Sequence, residues 1–546
     1  MSNPTVEINT GLVEGVQDGA VSVFKSIPYA KPPVGDLRWR PPQPAEPWSG
    51  TYKADKFGPM AMQRGAEMME FLHNLMAGQG MGWLKVAFFK TMIKYGPKPK
   101  QSEDCLQLTV RTPDLNPAEK LPVMVWIHGG AHQDGSAVEI FYDSNELPKK
   151  GVVTVTLNYR LGLFGFLSHP DLSAESEHGV SGNYGMLDQI MALKWVQENI
   201  EQFGGDPDNV TIFGESAGGE SVLHLMCSPL AEGLFHKAIP QSAATGAQFV
   251  YLKKPFGIYP SAEEQGINFT KRAGNRSIEE LRQMPAEELQ KIVQAGAGAD
   301  GNFYPVIDGY ALPKAIPHTF ADKEQSQVPL LIGTNEHEST LFATFLKTPL
   351  MEYNEVAGSN PFGELPSYMM EEFGDDLNRL TELYPGLSTM DQDTVIHFQG
   401  DTFFGAPTRF YAEEVAKSPE PVFLYQFRRK SPLPKQKAGA FHAAELAFVH
   451  GTKSPIIAMN EQDTPLVETI QTYWTNFAKT GNPNGAGVPN WSEFSEVAPH
   501  WMVLDTNRIE SAPVELEEKY QIFMKRLNRK VELMRTSQEQ EAVPAD

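Results

Sequence analysis

Val210-Thr211-Ile212-Phe213-Gly214-Glu215-Ser216-Ala217-Gly218-Gly219 joins an apolar, β-branched run to a segment, Gly219–Met226, with the composition of a helix. A strand, a tight turn and a helix, with Gly-x-Ser-x-Gly at the turn, form an elbow that lifts a serine hydroxyl clear of a sheet. Glycine is needed at both ends because the backbone is strained there and side chains would collide with the returning chain. The helix that follows presents its free N–H groups beside the hydroxyl. The pentapeptide alone recurs by chance, but its strand and helix context makes Ser216 a candidate nucleophile.

Outward from this point, apolar β-rich runs alternate with helical stretches over the first two-thirds of the chain. Expected strands are Val21–Ile27, Leu106–Arg111, Pro122–Ile127, Val152–Leu157, Val210–Phe213, Lys237–Gln241, Leu330–Gly333 and Pro421–Phe427. Several are unbroken apolar runs, which suit strands buried on both faces of a mainly parallel sheet. Between them Leu187, Ile190, Leu193, Val196 and Ile200 give Tyr184–Gln202 a helical spacing. The alternation predicts a doubly wound α/β fold.

A serine hydroxyl needs a base, and the oxyanion formed on attack needs donors. The run Pro122–Ile127 ends in His128-Gly129-Gly130-Ala131, where small residues let backbone N–H groups approach a substrate oxygen. Eight histidines follow Ser216. Of these, His442 stands on a loop shortly after the late strand Pro421–Phe427, with His450 as the runner-up. The strand Leu330–Gly333 runs into Thr334-Asn335-Glu336-His337-Glu338, which offers two candidate acids.

Composition narrows the class. The chain has 546 residues, 41% of them hydrophobic and 21% charged, enough for a packed core. A net charge of −22 disfavours nucleic acid and anionic lipid headgroups. No apolar run reaches the ~18–20 residues that cross a bilayer. The first residues lack a basic and apolar leader, and only Cys105 and Cys227 are present, so a cytoplasmic protein without a disulfide framework is expected. Gly296–Gly301 matches a dinucleotide string without the strand and helix it requires, and no metal-ligand spacing occurs, so neither cofactor nor metal is expected. The glycosylation strings at Asn209, Asn268 and Asn275 read as chance.

The chain resembles the type-B carboxylesterases of the cholinesterase/carboxylesterase family, within the α/β-hydrolases. The resemblance rests on "FKSIPYAKPPVGDLRWRPP" from Phe24, "SEDCLQLTV" from Ser102, "VMVWIHGGA" from Val123 and "NYRLGLFGFL" from Asn158. It continues through the long stretch Gly182–Gly219, "GLFHKAIPQS", "IGTNEHEST", "FHAAELAFVHG" and "WTNFAKTGNPNG". It implies an α/β-hydrolase fold over residues 1–535, followed by a polar, acidic tail at 536–546. The implied activity is hydrolysis of carboxylic esters through an acyl-enzyme, with a small-molecule ester as partner and a broad range that includes bulky alcohols. The family's His-x-x-Glu-Leu pattern selects His442, with Glu445 behind it. Its register assigns the acid to Glu338, with Glu336 as the alternative, and the oxyanion donors to Gly130, Ala131 and Ala217. Arg38 and Glu103 match a fold-holding ion pair. Tyr95 falls where cholinesterases carry a choline-binding tryptophan, which speaks against quaternary-ammonium specificity. No cysteine precedes Cys105, so the disulfide of secreted relatives cannot form.

Residues 60–94 hold seven of the 21 methionines. A helical wheel gathers Leu84, Phe88, Phe89, Met92 and Ile93 on one side, with Lys85 among them and Lys90 and Lys94 opposite. Core packing is one reading. A lid-like insertion, as in a lipase acting on long-chain esters, is the other. A non-catalytic binding member of the fold is the remaining alternative, and the placement of all three triad residues argues against it.

Overall fold

The computed structural model describes residues 3–542, apart from 65–71, 74, 96–99, 140, 244, 246–249, 257–259, 297–301, 341–372, 390 and 516. Eleven strands form one sheet: β1 Val16–Asp18, β2 Val21–Pro28, β3 Gln107–Thr112, β4 Leu121–Ile127, β5 Val153–Leu157, β6 Gly205–Glu215, β7 Lys237–Gln241, β8 Leu330–Asn335, β9 Val422–Phe427, β10 His500–Asp505 and β11 Arg508–Pro513. Their spatial order is β11-β10-β9-β8-β7-β6-β4-β5-β3-β2-β1. From β5 through β10 every pairing is parallel, and the pairings outside that block are antiparallel. A small sheet of Thr5–Ile8, Gly11–Glu14 and Thr51–Lys53 stands apart.

The unbroken apolar runs have a direct cause. In β4, Val123, Val125 and Ile127 enter one core while Met124 and Trp126 enter the other. In β9, Val422 and Leu424 divide from Phe423, Tyr425 and Phe427 in the same way. Alternate residues of a strand point to opposite faces, so a strand covered on both sides must be apolar throughout. Helices α2 (Tyr184–Asn199), α3 (Ala217–Cys227) and α5 (Glu517–Ala542) cover the first face, and α4 (Thr464–Thr480) covers the second. Each fully buried Leu, Val or Phe contributes roughly 1.5–3 kcal/mol relative to exposure.

Three expectations change. Strands β1, β10 and β11 are not among the expected runs, because β1 is three residues long and "HWMVLD" carries polar ends and lies far from the alternating pattern. The tail boundary at 535 falls inside α5, which continues to Ala542 because residues 536–542 contain no helix breaker. In the Met-rich segment, helix α1 (Trp83–Tyr95) buries Val86 and Phe89 but leaves Leu84, Phe88 and Met92 exposed. The apolar cluster that the wheel gathers on one side is therefore divided between core and surface. Met76 and Met81 are buried, whereas Met68 and Met69 lie outside the described residues. No described helix is long and apolar enough to cross a membrane.

Arg38 and Glu103 form the expected pair, bidentate at 2.7 and 2.6 Å, and Arg38 also donates to the carbonyls of Leu281 (2.8 Å) and Met284 (2.7 Å). Both ends of this ion are satisfied, so removing one strands the other in the interior. Arg38→Met is expected to cost roughly 3–5 kcal/mol. For a chain of this size that lowers the thermal midpoint by about 3–5 °C, read by scanning calorimetry at fixed scan rate, while turnover per folded molecule is unchanged.

Candidate active site

Strand β6 delivers Glu215 and then Ser216, whose backbone has φ 58° and ψ −125° at the N-cap of α3. Its N–H donates to the Gln241 carbonyl (3.0 Å), and its carbonyl accepts from the Glu220 N–H (2.9 Å). Left-handed backbone at a serine is costly and persists only where its surroundings enforce it. Here the elbow is wedged between neighbours. A Cβ on Gly218 would lie 2.1 Å from the Ile127 carbonyl oxygen, and one on Gly214 would lie 2.6 Å from it. A Cβ on Gly129 would stand 2.6 Å from the Glu215 carbonyl and 3.1 Å from the Ser216 Cβ. The loop after β4 thus runs directly against the elbow.

That loop carries Gly130 (φ 108°), Ala131 (φ 53°) and His132 (φ 58°). The N–H groups of Gln133 and Asp134 both donate to the Gly130 carbonyl at 2.9 Å, and those of Gly130 and Ala131 take no part in the bonds that close the loop. Ala131 is exposed and Gly130 half-buried, so both amides border open space. His128, at the start of the loop, stacks on Tyr159 with ring centroids 4.5 Å apart, and burial pulls its pKa down to about 4. It is a neutral packing residue. His132 Nε2 lies 3.0 Å from Glu220 Oε2, tying the loop to the first turn of α3. No local pattern pairs these two residues, which lie 88 positions apart.

The candidate acid Glu338 opens the short 3₁₀ turn Glu338–Thr340 after β8. Glu338 Oε2 is 2.6 Å from His442 Nδ1. Its Oε1 accepts from the Ser242 hydroxyl (2.6 Å) and the Asn335 N–H (2.7 Å). Glu336 points elsewhere, to His337 (3.2 Å), Lys430 (3.4 Å) and Arg428 (3.8 Å). The two candidate acids are thus separated by geometry: one is buried on the histidine, the other sits in a partly exposed ion cluster.

His442 is itself buried, with Phe404 4.9 Å from its ring. Because Nδ1 faces Glu338, Nε2 turns to the elbow, where Glu215 Oε1 lies 3.1 Å away. Behind them Glu445 accepts from Gln241 (3.1 Å) and Asn335 (2.6 Å), and Gln241 in turn accepts from the Trp474 indole (3.0 Å). Burial raises the Glu215 carboxyl, and nearby Glu445, Glu338 and Glu139 reinforce the effect against the pull of His442. Burial lowers His442, but the carboxylates of Glu215, Glu338 and Glu445 outweigh it and hold the ring above its ordinary value. Each shift depends on the other. A proton on Glu215 removes the largest of the charges that raise His442, so the pair is governed by where one proton sits.

His450, the runner-up base, packs edge-on against Trp126 with centroids 4.6 Å apart, and burial pulls it down to about 3. The structure therefore brings Ser216, Glu338, His442, Gly130, Ala131 and Ala217 to one end of the parallel strands. The sequence reading missed Glu215, Ser242 and Asn335. Glu215 occupies the variable position of the pentapeptide, and the other two stand at the carboxyl ends of β7 and β8, where open parallel sheets place their sites. Cys105 and Cys227 are both buried and unpaired. The described residues contain no group of three or more side chains suited to a metal.

These features place the chain in a known class. Residues 2–523 match the carboxylesterase family, and the chain belongs to it. It is 36% identical to the para-nitrobenzyl esterase of Bacillus subtilis, over 96% of this chain and 99% of that one. Pig (Sus scrofa) liver carboxylesterase is 36% identical over 87% of this chain and 84% of its own length. Among solved structures, a PNB esterase superposes with a TM-score of 0.77 at 34% identity, covering 96% of this chain and all of the other. A Geobacillus stearothermophilus carboxylesterase gives a TM-score of 0.77 at 30% identity, over 95% and 99% of the two chains. The fold is that of the α/β-hydrolases, and the protein is a carboxylic ester hydrolase working through the serine acyl-enzyme mechanism of its family.

Proposed function

We propose that Ser216 is the nucleophile of this esterase, His442 its general base and acid, and Glu338 the group that orients His442. The observation that carries this reading is the 2.6 Å contact between Glu338 and His442 Nδ1, with Nε2 turned to the elbow. His442 Nε2 takes the Ser216 proton as the hydroxyl attacks the ester carbonyl, then returns it to the departing alcohol. A water activated by the same nitrogen releases the acid. Glu338 keeps its charge throughout and stabilises the imidazolium. The N–H groups of Gly130, Ala131 and Ala217 receive the oxyanion. The Ala131 methyl leaves its amide clear, which supports the reading that bulky alcohol esters are accepted. Two unpaired buried thiols suit a reducing compartment, and cytoplasmic residence belongs to the same reading.

Ser216→Ala is expected to lower kcat by roughly 10⁵–10⁶-fold with the fold intact. A fluorophosphonate should label the parent chain one-to-one and leave the variant unlabelled. Residual turnover of a few per cent would overturn the assignment.

The two carboxylates are told apart by substitution. Glu338→Gln is expected to cost about 10³–10⁴-fold in kcat, since the amide no longer holds the productive tautomer. Glu336→Gln, which loses only a partly exposed ion cluster, should stay within about threefold. Steady-state kinetics on one chromogenic ester measure both, and the reverse ranking would move the acid to Glu336.

The third expectation concerns pH. The base must be neutral to act, so kcat/KM rises as His442 loses its proton. Glu215 holds that proton on by charge. Glu215→Gln should therefore lower the His442 pKa and shift the acidic limb of the pH profile down by roughly one unit. An unmoved limb would mean that Glu215 carries its own proton across that range.

A further inference from the structure

The acidic character of the chain is interrupted at one helix. Residues 83–95 carry Lys85, Lys90 and Lys94 and no acidic side chain, in a protein of net charge −22. The same helix, α1, exposes Trp83 (76%), Leu84 (66%), Phe88 (70%) and Met92 (48%). Exposed large apolar residues occurring singly need no explanation, but four on one helix do. Val86 and Phe89 anchor the opposite side in the core shared with Leu75, Met76 and Met81. On a helical wheel Lys85 and Lys90 flank the exposed apolar arc, one at each edge.

The base of this helix is pinned. Gln79, fully buried, donates to the Ile456 carbonyl (2.7 Å) and accepts from the Ala458 N–H (2.8 Å), and its own carbonyl accepts from Ser431 Oγ (2.8 Å). The Gly78 carbonyl takes the N–H groups of Lys437 (2.7 Å) and Ala438 (3.0 Å), which brings the exposed Lys435 and Lys437 alongside. The result is an anchored helix whose exposed apolar arc is edged by cations.

We propose that α1 is a docking surface for an anionic phospholipid bilayer. A helix lying in the interface buries an aromatic and aliphatic face at the headgroup boundary while edge lysines reach the phosphates. Anionic lipid at a cytoplasmic leaflet supplies the complementary charge. The net charge of the whole chain does not prevent this, because a helix touching a plane keeps distant carboxylates beyond the ~8 Å screening length. A second copy of the chain is the weaker occupant, since association would bring two bodies of charge −22 together. The inference goes beyond ester hydrolysis and does not rest on the assignment of Ser216, Glu338 or His442. Its consequence is an esterase held where lipophilic esters partition.

The test is flotation of the full chain with vesicles of phosphatidylcholine alone or mixed with phosphatidylglycerol. The parent chain should bind the anionic vesicles at least roughly tenfold more strongly than the neutral ones. Trp83→Glu/Phe88→Glu should abolish binding and Lys85→Glu/Lys90→Glu should weaken it, with turnover of a short-chain, water-soluble ester unchanged in both. Circular dichroism confirms folding of the variants. Absence of binding by the parent chain, equal binding to the two vesicle types, or full binding by the Trp83/Phe88 variant would overturn the proposal. So would a parent dimer that this variant converts to monomer, since the helix would then be an interface between copies.

Discussion

Everything at the catalytic end of this molecule depends on how closely two backbone segments approach. Strands β4 and β6 are parallel neighbours, and the loops that leave their carboxyl ends touch. Ile127 and His128 on one side meet Gly214 and Gly218 on the other, at distances no Cβ could share. That contact forces the left-handed backbone of Ser216 and sets the amides of Gly130 and Ala131 beside it. Three glycines, 129, 214 and 218, are the chemical condition for it. Parallel pairing of β4 with β6, in the register Trp126 to Phe213 and Ile127 to Gly214, is the topological one.

Electrostatics forms a second layer on this frame. Three buried carboxylates, Glu215, Glu338 and Glu445, and the half-buried Glu139 act on one another around a single histidine. Charged carboxylates are costly in such a setting unless each finds donors. Glu338 has Ser242, the Asn335 amide and His442, and Glu445 has Gln241 and Asn335. Glu215 has the histidine contact at 3.1 Å, where burial raises its carboxyl and the charge of His442 opposes that rise. The difference in partners, more than any difference in side chain, separates their roles.

Much of this is legible in the sequence. Unbroken apolar runs located several of the eight expected strands, because a strand buried on two faces cannot hide its composition. The elbow and the glycine loop were legible because close backbone approach leaves a mark in the residues that permit it. Less was legible where the signal is not local. Glu336 and Glu338 are two positions apart in one chemical class, and only the direction in which each side chain leaves the turn after β8 separates them. The polar ends of β10 and β11 concealed an edge of the sheet, and α5 runs on past a boundary that composition alone suggested. The wheel for α1 gathered the buried Phe89 with the exposed Leu84, Phe88 and Met92 and left core packing and a lid both open, since periodicity does not tell which side of a helix meets the protein.

What the sequence by itself determined is the class of the molecule: the alternation that builds a doubly wound sheet, the strained turn with its serine, the donor loop, and a histidine with an acid pattern behind it. These are properties of short segments, where steric permission and hydrophobic period act over a few residues. Tertiary structure alone decided which carboxylate holds His442, that Glu215 faces the same ring, that His132 ties the donor loop to α3, and that the apolar face of α1 looks outward. Each joins residues tens to hundreds of positions apart, and such contacts exist only once the sheet has closed and brought its loop ends to one place.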